Sequence, residues 1–105
     1  MKVTKNPMIN LNKLGGRVYV GRPNGELARK FFHVEEFENG DQFPITVEFP
    51  KDAKTLTSSF FLGLFGDSVR KAGSRKGFLE TFAFTANEDI MEEIDEGIIE
   101  ALSAS

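Results

Sequence analysis

The sequence predicts one α/β domain, a mixed four-stranded sheet with about three helices packed mainly on one face. Three observations lead there. The chain has 105 residues, 40% apolar and 28% charged, enough for one hydrophobic core and too little for a second. In "DQFPITVEF" (41–49), Phe43, Ile45, Val47 and Phe49 alternate with Pro44, Thr46 and Glu48, the period of a strand with one buried face. Beyond it, Phe61, Leu64, Phe65, Ser68, Val69 and Ala72 recur at helical spacing. A doubly wound parallel sheet buries both faces and writes continuous apolar strands, so the alternation gathers the helices on one side.

Each element follows from its own residues. "MINLNKLGGRVYV" (8–20) reads as two strands, Ile9 and Leu11 then Val18 and Val20, folded about Gly15-Gly16 as an edge hairpin. "ELARKFFHVEEF" (26–37) reads as an amphipathic helix with Leu27, Phe31 and Val34 inward, Asn24 as N-cap and Glu26 in the first turn, ending near Asn39-Gly40. The strand over 41–49 comes next. The helix after it starts at the hydroxyl run "TLTSS" (55–59), carries Arg70 and Lys71 in its last turn, and stops at Gly73, a left-handed C-cap. "KGFLETFAF" (76–84) reads as a strand with Phe78, Phe82 and Phe84 inward and Leu79, Thr81 and Ala83 outward. Strand, helix and strand in this order imply a parallel pair. The last helix opens with a Thr85–Glu88 capping box or an Asn87 cap. It buries Ile90, Ile94, Ile98 and Ala101 and leaves Glu92, Glu93, Asp95, Glu96 and Glu100 outside. Residues 1–7 and 103–105 are expected to fray.

Composition narrows the function. With no Cys there is no disulfide, thiolate nucleophile or cysteine metal site, and with one His no metal cluster is expected. No apolar run is long enough to span a bilayer and "MKVTKNPMINLNK" lacks the core of a signal peptide, so a cytoplasmic location without membrane contact is expected. A net charge of -3 disfavours nucleic acid, although "RKAGSRK" (70–76) is locally basic. His33 has no Ser or Cys nucleophile near it in sequence, adjacent carboxylates such as Glu92-Glu93 diverge around their helix, and no phosphate-loop motif occurs. The expectation is a protein that is not an enzyme and takes no cofactor.

Thr57, Ser58 and Ser59 remain. With Thr57 as N-cap, both serines are the first helical residues, where backbone amides lack intrahelical partners. Such hydroxyls cap a helix; a phosphoryl group added there would meet the positive end of the helix dipole. Both readings stand on the residues alone.

The run "ITVEFPKDAKTLTSSFFLGLFGDSV" (45–69), with Glu48-Phe49, Ser58-Ser59-Phe60 and Leu64-Phe65-Gly66, resembles an uncharacterised branch of the STAS-like domain family. The order of elements over residues 8–102 is similar as well. The resemblance implies a regulatory interaction domain akin to the anti-sigma-factor antagonists of bacterial signalling, bound by a histidine-kinase-like ATPase or an anti-sigma factor. It implies Ser59, with Ser58 beside it, as the phosphorylated hydroxyl, and Lys54, Thr55, Thr57, Ser58, Ser59, Phe60 and Gly63 as the partner-binding surface. Thr57 and Phe60 stand where better-known members carry an acid and a glycine. The alternatives are a small domain or enzyme that binds an anion or nucleotide at the same helix start, and a homo-oligomer formed through a sheet face bearing Leu79 and Ala83.

Overall fold

The structure, a computed structural model, describes residues 7–103. Five strands and five helices follow one another as β1 (Met8–Asn10), β2 (Val18–Tyr19), α1 (Arg22–Phe31), α2 (Val34–Glu38), β3 (Ile45–Glu48), β4 (Thr55–Leu56), α3 (Ser58–Ala72), α4 (Arg75–Thr81), β5 (Phe82–Thr85) and α5 (Glu88–Ser103), with a 3₁₀ turn at Leu11–Leu14. They form a compact α/β domain with two sheets. One has three strands in the order β1-β3-β5; the other pairs β2 with β4. Every pairing is parallel.

The larger sheet has one core face. Its register sets Ile9 beside Val47 and Val47 beside Phe84, with Ile45 beside Phe82. Ile9, Ile45, Val47 and Phe82 are fully buried, while Met8, Thr46 and Ala83 on the reverse keep access to solvent. The one-faced pattern holds at Ile45, Val47 and Phe49, although parallel sheets are usually covered on both sides, but Phe43, expected on the same buried face, precedes the strand and is 43% exposed. On the core face Phe61 and Phe65 of α3 meet Phe78, Phe82 and Phe84, with ring centroids from 5.0 to 6.1 Å apart. Edge-to-face contacts of this kind add to the gain from burying the rings.

α3 is the central helix. Thr57 caps its start, its hydroxyl accepting from the Phe60 amide at 3.2 Å, and Gly73 ends it with φ of 80°. One flank receives α1, backbone against backbone at Gly25 and Gly63. The other receives α5, whose Gly97 lies so close to the Phe61 ring that a β-carbon there would be 2.4 Å from it. Asn87 caps α5, accepting from the Ile90 amide at 2.9 Å, and donates to the carbonyls of Lys51 and Ala53, which ties the loop after β3 to that helix.

Four further expectations are corrected. The predicted mixed four-stranded sheet is two smaller parallel sheets. The predicted hairpin over 8–20 does not form, because β1 pairs with β3 and β2 with β4. The first helix starts at Arg22 after Gly21, with Pro23 in its first turn, and breaks at His33, whose φ is 56°. Its core side is Gly25, Ala28 and Phe32, while Leu27 and Phe31 are 64% and 56% exposed. Residues 75–81 are helical rather than extended, with Ser74 accepting from the Gly77 amide at 3.0 Å. Leu79 thus sits on α4, so it and Ala83 share no sheet face. The expected fraying falls largely outside the described residues.

Candidate functional site

Thr57 links two surfaces. Its side-chain oxygen accepts from the Phe60 amide and, at 3.3 Å, from the amide of Gly21, the residue just before α1. One hydroxyl therefore joins the start of α3 to the start of α1.

The sequence-predicted residues are spread across this junction. Lys54 and Thr55 are exposed, Ser59 is exposed, and Thr57 and Ser58 are half-buried. The amides of Ser58 and Ser59 have no partner among the described residues. Phe60 and Gly63 turn inward. Phe60 is 3% exposed and packs on Tyr19 with ring centroids 5.5 Å apart, and Gly63 is buried against α1. Lys54, Thr55 and Ser59 are open to solvent, whereas Phe60 and Gly63 are not. Beside β4 lies a cleft of about 290 Å³ where Lys54 to Thr57 face Asp89, Glu92 and Glu93 of α5. That acidic wall opposes a free anion inside this cleft.

The second surface escaped the sequence reading. Leu14, Val18, Val20, Leu27 and Phe31, each at least 39% exposed, surround a groove of about 500 Å³ floored by Tyr19, Ala28 and Phe60. Among the described residues no charged side chain lines it. The groove runs along the open edge of β2. The carbonyls of Arg17 and Tyr19 accept from the amides of Lys54 and Thr57, at 2.8 and 2.9 Å, so the intervening Val18 turns its backbone to the other edge, where no strand pairs among the described residues. The only available clue was the helical spacing of Leu27 and Phe31, which reads equally as a core stripe.

Tyr19 closes the groove floor. Burial raises its phenol pKa above the usual value of 10.0, and the Asp52 carboxylate raises it further. Asp52 itself pairs with Arg17.

A third hollow of about 670 Å³ lies where α1 and α2 meet α3. It is the most highly charged of the three: Arg70 pairs there with Asp67 at 2.7 Å and Arg29 reaches out of it to Glu38 at 3.1 Å, while Arg22, Glu26 and Lys30 have no ion pair among the described residues. Among the described residues no three His, Asp or Glu side chains gather as metal ligands, and no helix is long and apolar enough to cross a membrane.

Comparison with protein-family models, with curated proteins and with solved structures found no match.

Proposed function

We propose that the chain is a non-enzymatic regulatory domain that binds a protein partner in the apolar groove and against the adjoining segment 54–59. The observation that carries this reading is the gathering of five large exposed apolar side chains around one uncharged groove. Single exposed apolar residues need no explanation, but a contiguous patch costs solubility and marks an interaction surface. Thr57 gives that surface its link to the start of α3.

The finer reading is STAS-like regulation. The partner is then a histidine-kinase-like ATPase or an anti-sigma factor, and phosphorylation of Ser59 is the switch. Ser59 supports it by being exposed beside unbonded amides at the positive end of a helix of 15 residues. A phosphoryl group there would bring a charge of about -1.5 to -2 to the edge of an uncharged groove. An apolar partner surface would lose affinity.

Affinity capture from the native cells, read by mass spectrometry, tests both levels. Leu27→Glu is expected to lose a partner that the unmodified chain retains, and Ser59→Asp to weaken the same partner. If Leu27→Glu recovers the same proteins in the same amounts, the groove is not the binding surface. If the lost partner is neither an ATPase nor a sigma-factor regulator, the STAS-like reading fails while the interaction domain stands.

A further inference from the structure

The hollow between α1, α2 and α3 is larger than the apolar groove and shares no lining residue with it. At about 670 Å³ it has the volume of a small-molecule site. Four Arg or Lys and four Asp or Glu side chains line it, with Leu62 as a half-buried apolar wall. The two signs balance. Such a hollow favours neither a simple anion nor a simple cation, and suits a ligand that carries one charge of each sign.

Arg29 is the residue there whose bonding is incomplete. One terminal nitrogen of its guanidinium donates to the Leu64 carbonyl at 2.7 Å and the Ser68 hydroxyl at 2.9 Å, and the other to Glu38 at 3.1 Å. Nε is buried as well, yet it donates to nothing among the described residues. A buried donor on a charged group is costly to leave without an acceptor. The Glu35 carboxylate lies 3.9 Å from Nε, near enough for attraction and too far for a hydrogen bond. The Glu35 side chain is 75% exposed, so it is free to rotate. Each lacks a close partner: Nε needs an anion and Glu35 a cation.

We propose that this hollow binds a free α-amino acid with an apolar side chain. The ligand carboxylate replaces Glu35 beside Arg29 and accepts from Nε, which completes the bonding of the guanidinium. Glu35 swings aside and meets the ammonium group of the same ligand. Arg22 and Lys30, without an ion pair among the described residues, attract the carboxylate, and Glu26, equally unpaired, attracts the ammonium. Leu62 takes the apolar side chain. The site is independent of the groove, although α1 forms a wall of both.

Nitrogen–proton NMR correlation spectra resolve arginine Nε–H groups beside the backbone amides, so the atom in question is observed directly. Titration of the purified chain with L-leucine is expected to shift the Arg29 Nε–H signal and the Glu35 and Leu62 amides saturably, in the millimolar range or tighter. Acetate and isobutylamine, with one charge each, should bind about tenfold or more weakly. Glu35→Gln alters an exposed side chain, and circular dichroism checks that it folds; Glu35→Ala is the second variant. Each is expected to weaken leucine by about tenfold and to leave acetate as strong or stronger, because a competing acid has gone from beside Arg29. Opposite responses of the two ligands are what a merely adventitious ion site would not give. The proposal is overturned if leucine produces no saturable shift at Nε, if acetate or isobutylamine matches leucine, or if both Glu35 variants hold leucine as tightly as the unmodified chain.

Discussion

Gly25 of α1 and Gly63 of α3 are the point where two helices touch through their backbones. A β-carbon on Gly25 would lie 2.2 Å from the Phe60 carbonyl oxygen, and one on Gly63 would lie 2.3 Å from that of Arg22. Neither neighbour is a side chain that can swing aside. Gly63→Ala and Gly25→Ala are therefore each expected to force the helices apart and destabilise the fold by about 2–3 kcal/mol. Gly66→Ala is the control in the same helix: its β-carbon would meet the flexible Arg70 guanidinium at 3.3 Å, and helix propensity favours alanine by up to about 1 kcal/mol. Urea unfolding of the three variants separates close approach from propensity.

Thr57 caps α3 and also accepts from Gly21. Thr57→Ala is expected to cost about 1 kcal/mol or somewhat more. Thr57→Ser, which keeps the oxygen, should recover most of that. Hydrogen exchange would show the loss at the amides of Phe60 and Gly21 together.

Arg29 holds α1, α2 and α3 in one place. Its guanidinium donates to the Leu64 carbonyl at 2.7 Å, to the Ser68 hydroxyl at 2.9 Å and to Glu38 at 3.1 Å, and the Glu38 side chain is 7% exposed. Arg29→Met leaves that carboxylate buried and unpaired, with an expected loss of about 3 kcal/mol or more. The double variant Arg29→Met with Glu38→Leu should be more stable than Arg29→Met alone, which a double-mutant cycle in urea would measure.

Tyr19 makes stability depend on alkaline pH. Burial, and then Asp52, raise its folded pKa, so above the ordinary phenol value the unfolded chain releases the proton first. Its contribution is complete below pH 10 and is lost as pH rises through the folded pKa. Melting curves taken across that range should show a decline that is shallower in Tyr19→Phe.

The parts of the fold that were legible are those set by short-range chemistry. Thr57, Gly73 and Asn87 are end signals that act on their own helices, and the alternation of Ile45 and Val47 depends only on one buried face. The face of α1 was not legible. The close crossing at Gly25 turns Leu27 and Phe31 outward against their hydrophobicity, and no neighbour in sequence reports that crossing. Residues 75–81 were misread because Phe78 and Phe82, four apart, fit two strand periods or one helical turn. Ser68, a hydroxyl within an apolar stripe, gained its reason only when Arg29 came beside it. The site was legible to the same degree: Lys54, Thr55 and Ser59 reach the surface from local chemistry, whereas the groove depends on α1 lying against β2.

The strand pairings interleave along the chain. Met8 lies beside Thr46, Val18 beside Thr55, and Ile45 beside Phe82, each partner about 37 positions away. A chain leaving the ribosome therefore carries β1 and β2 with nothing to pair until β3 and β4 emerge, and the larger sheet still waits for β5. Such distant closures slow folding relative to a helical protein of equal length. During that wait the bare strands are open to capture by chaperones or by other nascent chains.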